Sequence, residues 1–137
     1  VQALHAEGCR RFFVATLDEG IALRASLTSP SLTSSSPLRG DSVDITVFHG
    51  PYPGEEGEYL AHGLTPVLNS PEQLKRWNEK GGAPAMLHTD TGMCRLGFSA
   101  AELEEAGGEL QHVTMLMSHL ACANEPPEMV ILTLDSL

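Results

Sequence analysis

The stretch from residue 66 to residue 87, PVLNSPEQLKRWNEKGGAPAML, contains the pattern that decides the fold. It opens on a short apolar run, and residues 70–72 then give a strong helix start with proline at the first helical position. Leu74 and Trp77 lie about one helical turn apart and predict the buried face of that helix. Two glycines end the helix, and a second apolar run follows at residues 85–87. This order predicts a strand–helix–strand unit with parallel strands.

The same alternation runs along the rest of the chain. Apolar runs predict five short strands, at residues 12–15, 43–48, 66–68, 85–87 and 113–117. Helical patterns separate the strands, and one more precedes the first. Runs buried on both faces favour a parallel sheet, and short strands with loop-rich ends favour a barrel segment. We therefore expect an α/β fold, a partial (β/α)8 TIM barrel that covers roughly strands two to six.

Two polar residues predict where helices begin. Asp18 follows the first predicted strand and is expected to cap the next helix. Ser99 and Glu102 have the spacing of a capping box, which predicts a helix over residues 99–106.

The chain is expected to be one segment of a single barrel domain over residues 1–128. Within it, residues 29–42, SPSLTSSSPLRGDS, are rich in Ser and Pro and read as an inserted loop. Residues 129–137 are an uncertain tail, either a further strand or a non-native end. Because the sequence begins at Val1 without an initiator methionine, we expect a piece of a longer protein.

Composition excludes several classes of function. The formal net charge is −10, which argues against binding to nucleic acid. No apolar run is long enough to suggest a membrane span. The cysteines, Cys9, Cys94 and Cys122, contain no CxxC pair, so neither a disulfide framework nor a zinc ribbon is expected, and a reducing cytoplasm fits. Cys94 and Cys122 are interpreted as packing residues.

In parallel α/β folds the residues that follow the carboxyl ends of the strands converge on the functional site. The candidate segments are residues 16–18, 49–51, 88–95 and 118–124. In the third segment, Gly92 can supply a positive φ while Asp90 accepts hydrogen bonds from local amides, and spacing alone favours such a plain turn. Arg95 allows a second interpretation, since its planar fork suits a carboxylate, a phosphate or a phenolate.

A histidine follows the last predicted strand and leaves two further interpretations open. His119 is either a hydrogen-bonded structural residue or a catalytic group at a barrel mouth. Alternatively, His88, Asp90 and His119 could together bind zinc or another divalent ion, as in a metal-dependent barrel hydrolase.

Several ordered motifs resemble alanine racemase. DTGMCRLG at residues 90–97 and MSHLACANE at residues 117–125 are the most specific, and PVLNS at residues 66–70 agrees with them. The resemblance covers nearly the whole chain except the Ser-rich insertion and about the last ten residues. It implies a fold-type III pyridoxal phosphate enzyme, a homodimer with a (β/α)8 barrel domain and a second, mostly β domain. It also implies that L- and D-alanine are interconverted in the bacterial cytoplasm, supplying D-alanine for peptidoglycan.

The resemblance also implies roles for single residues. Arg95 matches the arginine that hydrogen-bonds the phenolic oxygen of the cofactor and helps to place the substrate carboxylate. His119 matches a histidine in a relay to the catalytic tyrosine. His88 stands where many relatives carry a lysine that supports the arginine, and Asn124 stands where many carry an aspartate near the substrate corridor.

The lysines limit what the chain can do by itself. The sequence contains only Lys75 and Lys80, and neither lies in the motif of the lysine that holds the cofactor. We therefore expect the chain alone to be inactive. A noncatalytic pyridoxal phosphate-binding barrel module, or a remnant of one, is the alternative.

Overall fold

The computed structural model describes residues 1–28 and 43–120, which fall into two compact units, residues 1–66 and residues from 67 onward. The inserted loop predicted at residues 29–42 and the tail predicted at residues 129–137 lie outside the described residues. In the described part, five strands alternate with helices and pair in parallel. This confirms the predicted α/β class.

The first unit is built on parallel strand pairs. Its elements are α1 (Gln2–Ala6), β1 (Arg11–Val14), α2 (Leu17–Thr28), β2 (Asp44–Val47), α3 (Glu56–His62) and the first half of β3 (Thr65–Leu68). Phe12 lies opposite Ile45 in the pairing of β1 with β2, and Thr46 lies opposite Thr65 in the pairing of β2 with β3. Arg24 on α2 donates hydrogen bonds to three main-chain carbonyls, at Val43, His62 and Gly63. One guanidinium thus joins the start of β2 to the end of α3.

Helix α2 begins differently from the prediction. The amide of Glu19 donates to the Thr16 hydroxyl at 3.4 Å, and the Glu19 carboxylate accepts the amides of Ala15 and Thr16. Asp18 lies inside the first turn, so its prediction as the cap was wrong. The Thr16–Glu19 pair satisfies orphan amides in both directions, which a single aspartate cannot do.

The second unit contains the strand–helix–strand pattern predicted at residues 66–87. Its elements are the second half of β3, α4 (Pro71–Glu79), β4 (Ala85–His88), α5 (Ala100–Glu105), a short 3-10 turn (Gly107–Glu109) and β5 (Val113–Met117). β3 pairs with β4 and β4 with β5, all in parallel. Trp77 of α4 is fully buried, and its indole N–H donates to the carbonyl of Ala83 at 2.8 Å. The aromatic residue therefore packs the core and fixes the return of the chain toward β4.

The predicted capping box of α5 is confirmed. The Ser99 hydroxyl accepts the amide of Glu102, and the Glu102 carboxylate accepts the amide of Ser99 at 2.8 Å. This pairing holds the start of α5 just after the loop that follows β4.

Burial differs sharply between the last two strands. All four residues of β4 are buried, as predicted. On β5, Leu116 is 61% exposed and Met115 is exposed as well, so the expectation of burial on both faces was wrong there. Among the described residues β5 pairs only with β4, which leaves it less covered. No helix in the described ranges is long and apolar enough to cross a membrane.

Candidate functional site

In the first unit, the residues after β1 and β2 converge as predicted. A cavity of about 220 Å³ is lined by Thr16, Leu17, Asp18, His49, Gly50, Tyr52 and Glu55. The Tyr52 hydroxyl lies 3.1 Å from Nδ1 of His49. Two of the four predicted segments therefore meet at one end of the strands of this unit.

In the second unit, the loop after β4 is organised by one carboxylate. Oδ1 of Asp90 accepts the amides of Gly92 and Cys94, each at 3.0 Å. These two amides hold the pKa of the Asp90 carboxyl below its usual range. Gly92 has a φ of 113° and Cys94 a φ of 53°. The predicted turn is confirmed, and the anionic carboxylate of Asp90 holds it together.

Backbone pairing closes the base of this loop. The amide of Asp90 donates to the carbonyl of Phe98 at 2.9 Å, and the amide of Phe98 donates to the carbonyl of His88 at 2.8 Å. Gly97 has a φ of 110°, and a Cβ at this position would lie 2.8 Å from the nitrogen of Asp90. Only glycine fits this close approach, since any side chain would meet main-chain atoms.

The loop presents the arginine that the sequence left unexplained. The side chain of Arg95 is exposed, and it makes no hydrogen bond or ion pair with any residue in the ranges 1–28 and 43–120. Its charge nevertheless acts on His88, whose pKa it helps to lower. The two interpretations of this stretch are therefore compatible: the segment is a turn, and the turn presents a cation.

His88 lies at the end of β4 and is only 4% exposed. Its Nδ1 lies 2.9 Å from Oδ1 of Asn69, and the amide group of Asn69 donates to the carbonyl of Val67 at 3.0 Å. The pKa of His88 is lowered chiefly by burial, then by His119 and Arg95, while the Asp90 carboxylate opposes the shift. The imidazole is therefore neutral at neutral pH.

His119 lies just beyond β5 and close to His88. The two rings meet edge to face, with their centroids 5.3 Å apart. The hydroxyl of the buried Thr91 contacts the Ser118 hydroxyl at 2.5 Å and donates to the carbonyl of His119 at 3.5 Å. The loop after β4 is thus tied to the end of β5, and the structure brings His88, Arg95 and His119 into one region.

The proposed metal set is not assembled. Within residues 1–28 and 43–120, no group of three His, Cys, Asp or Glu side chains could hold a metal ion. Nδ1 of His88 contacts Asn69, and Oδ1 of Asp90 accepts two main-chain amides. The interpretation of His88, Asp90 and His119 as metal ligands was therefore wrong.

Other residues were misjudged, missed or left untested by sequence reasoning. Cys94 is exposed, so its prediction as a packing residue was wrong. Asn69 and Thr91 were not predicted as site residues. Asn69 could have been, because it is polar and directly follows a predicted strand. Asn124 lies outside the described residues, and its predicted place near the substrate corridor stays a prediction.

Known proteins with similar sequences are alanine racemases. The family model described as alanine racemase, N-terminal domain, matches residues 1–133. A catabolic alanine racemase of Agrobacterium fabrum is 42% identical over 135 residues, which are 91% of this chain and 32% of that protein. An alanine racemase of Rhodospirillum rubrum is 40% identical over 92% of this chain and 33% of its own length. The chain therefore spans about a third of the length of these relatives.

Solved structures give the same result. An alanine racemase of Bartonella henselae with covalently bound pyridoxal phosphate has a TM-score of 0.71 at 29% identity, over 88% of this chain and 35% of that one. The biosynthetic alanine racemase of Pseudomonas aeruginosa has a TM-score of 0.71 at 30% identity, over 99% of this chain and 37% of that one. The predicted fold, part of the barrel domain of this family, is confirmed.

Proposed function

The chain belongs to the alanine racemase N-terminal domain family, and we propose that the whole gene product, the protein encoded by the complete gene, interconverts L- and D-alanine. The observation that carries the proposal is the loop after β4. Asp90 organises it through two main-chain amides, and it presents an exposed Arg95. A guanidinium on a loop between two histidines suits the carboxylate of an amino acid substrate.

The residues of this region fit pyridoxal phosphate. A guanidinium offers several N–H donors and no acceptor, and that of Arg95 makes no hydrogen bond to the part of the chain described above. It is therefore available to the phenolic oxygen of the cofactor, which carries negative charge. When bound, pyridoxal phosphate would supply the electron sink that makes the α-proton of alanine removable.

Four residues of the chain have proposed roles in that reaction. Arg95 hydrogen-bonds the phenolic oxygen and orients the substrate carboxylate. His119 belongs to a hydrogen-bonded relay that positions the catalytic tyrosine, and its location just past β5, 5.3 Å from His88 between ring centroids, supports a place in such a network. His88 supports Arg95, and Asn124 borders the path by which the substrate enters.

The remaining proposals concern the whole gene product. We propose a homodimer with pyridoxal phosphate as cofactor, acting in the bacterial cytoplasm and supplying D-alanine for peptidoglycan. The free thiols of Cys9 and Cys94 are compatible with a reducing compartment. No nucleic-acid or membrane partner is proposed, since 18 acidic residues outweigh 8 basic ones.

A second candidate concerns the 137-residue chain taken alone. Lys75 and Lys80 are its two lysines, both exposed and both at or near α4 rather than at a strand end. Neither is placed to hold a cofactor beside Arg95. We therefore propose that this chain by itself is a noncatalytic barrel segment.

The test is racemisation by the whole gene product supplied with pyridoxal phosphate. Both enantiomers of alanine are incubated in deuterated water, and enantiomer ratio and deuterium at Cα are measured together. We expect both to change from either starting enantiomer. A purified, folded protein that neither exchanges the α-proton nor changes the enantiomer ratio would exclude the proposed function.

A further inference from the structure

One buried residue of the second unit that contacts His88 has no assigned role so far: Asn69. Asn69 lies just after β3 and is 8% exposed, and His88 lies at the end of β4. The amide nitrogen of the Asn69 side chain donates to the carbonyl of Val67, which assigns the remaining atom, Oδ1, as the one that faces His88. The main-chain N–H of Asn69 donates to Oε1 of Gln73 at 2.7 Å, so both the main chain and the side chain of Asn69 are held by hydrogen bonds.

This arrangement determines the tautomer of His88. An amide oxygen only accepts hydrogen bonds, so Nδ1 of His88 must carry the hydrogen in the 2.9 Å contact with Asn69. In a neutral imidazole, Nε2 then carries a lone pair and acts only as an acceptor. Burial is the main cause that lowers the pKa of His88, His119 and Arg95 act in the same direction, and the Asp90 carboxylate opposes them.

Arg95 lies on the loop after β4, whose end returns to His88 through the hydrogen bond from the amide of Phe98 to the carbonyl of His88. Arg95 offers donors only, and its guanidinium makes no hydrogen bond within residues 1–28 and 43–120. We propose that Asn69 is a positioning residue: it holds His88 as the Nδ1–H tautomer, which leaves the Nε2 lone pair available to the guanidinium of Arg95. Asn69 itself touches neither the substrate nor the cofactor.

The neutral form of His88 also affects the charge that Arg95 presents in the site. A neutral imidazole that accepts a hydrogen bond from the guanidinium would orient it without cancelling its positive charge, whereas an anionic partner would cancel much of that charge. Arg95 therefore keeps its full charge for an anionic oxygen. The effect on turnover rests on the function proposed above, but the tautomer of His88 does not.

The first experiment reads the tautomer directly. Nitrogen NMR of the whole gene product with labelled histidine rings is recorded without substrate, and the His88 signals are assigned by their loss in His88→Gln. We expect a protonated Nδ1 and an unprotonated Nε2 in the wild type. In Asn69→Ala we expect a mixture of tautomers or a protonated Nε2. A protonated Nε2 in the wild type, or an unchanged tautomer in Asn69→Ala, would overturn the proposal whether or not the protein racemises alanine.

A second experiment separates positioning from mere stability. Asn78→Ala is the matched control, because the Asn78 side chain also donates one hydrogen bond to a main-chain carbonyl, that of Glu109 at 3.0 Å. We expect Asn69→Ala to lower kcat/KM for alanine roughly threefold to tenfold, the size expected for one lost hydrogen bond, while Asn78→Ala leaves it unchanged. Equal effects of the two substitutions on kcat/KM would contradict a positioning role.

Asn69→Asp tests the charge. The carboxylate still accepts the Nδ1 hydrogen, but it favours protonation of both ring nitrogens and removes the Nε2 lone pair. His119, Arg95 and Asp90 are the charged and titratable groups that affect the pKa of His88, and the new carboxylate would add to the effect of Asp90. We expect the acid limb of the kcat/KM profile to move to higher pH in Asn69→Asp. A profile that coincides with that of the wild type would contradict the role proposed for the Nε2 lone pair of His88.

Discussion

Nδ1 of His88 lies 2.9 Å from Oδ1 of Asn69, although 19 residues separate the two along the chain. The contact is buried and joins the end of β3 to the end of β4 within one unit. It converts a histidine that the sequence suggested as a metal ligand into a neutral, oriented group beside Arg95.

The first prediction concerns acid stability. The pKa of His88 is lowered in the folded state, so the neutral ring contributes stability that is fully present above the unfolded value of about 6.5. That stability is lost as the pH falls from there through the folded value, because the unfolded chain then binds the proton more readily. In the whole gene product, denaturant midpoints measured from neutral to mildly acidic pH should fall more steeply for the wild type than for His88→Gln. Parallel pH profiles would contradict this.

The second prediction concerns the base of the loop. In Gly97→Ala the new Cβ would meet the main chain of Asp90 and His88 at a positive φ, and we expect a loss of roughly 1–3 kcal/mol in the free energy of unfolding. Gly107→Ala is the matched control, because no atom lies within 4 Å of a Cβ there. Thermal unfolding of both variants measures the difference. Equal shifts in the two variants would show that the loop is not closed as described.

The third prediction concerns the start of α5. Removal of the hydroxyl in Ser99→Ala leaves the amide of Glu102 without its capping acceptor, and a loss of about 0.5–2 kcal/mol is expected. Ser99→Thr keeps the hydroxyl and should retain most of the stability. Urea unfolding decides the matter, and an unchanged midpoint in Ser99→Ala would show that the capping box contributes nothing.

The fourth prediction concerns the 137-residue chain alone. Because Lys75 and Lys80 are exposed and lie at or near α4, we expect no racemisation of alanine by this chain with added pyridoxal phosphate. Polarimetry or a coupled assay for D-alanine provides the measurement. Racemisation by the chain would contradict the prediction. If it persisted in a Lys75→Ala, Lys80→Ala double variant, neither lysine would be needed to hold the cofactor.

Local signals predicted much of the fold. The apolar runs located all five strands of the described residues to within one or two positions, and the spacing of Ser99 and Glu102 gave a helix cap that the structure confirms. The cap of α2 was misjudged, because Asp18 and the Thr16–Glu19 pair are both plausible from sequence. Only the direction of the side chains distinguishes them.

The site was harder to predict than the fold. The motif around Arg95 is continuous in sequence, so its turn and its exposed cation could be anticipated. The contact of Asn69 with His88 and that of Thr91 with Ser118 bridge 19 and 27 residues. Such contacts depend on strand register, which local patterns do not determine.

Substitution of Arg95 in the whole gene product tests its proposed role most directly. Arg95→Ala removes the fork, Arg95→Lys keeps a charge without it, and Lys80→Ala removes an exposed cation on the same unit as a control. We measure kcat/KM for L- and D-alanine together with the absorption spectrum of the bound cofactor. We predict that kcat/KM falls roughly 10²-fold in Arg95→Ala, falls partly in Arg95→Lys and does not change in Lys80→Ala. Wild-type kcat/KM and an unchanged spectrum in Arg95→Ala would contradict it.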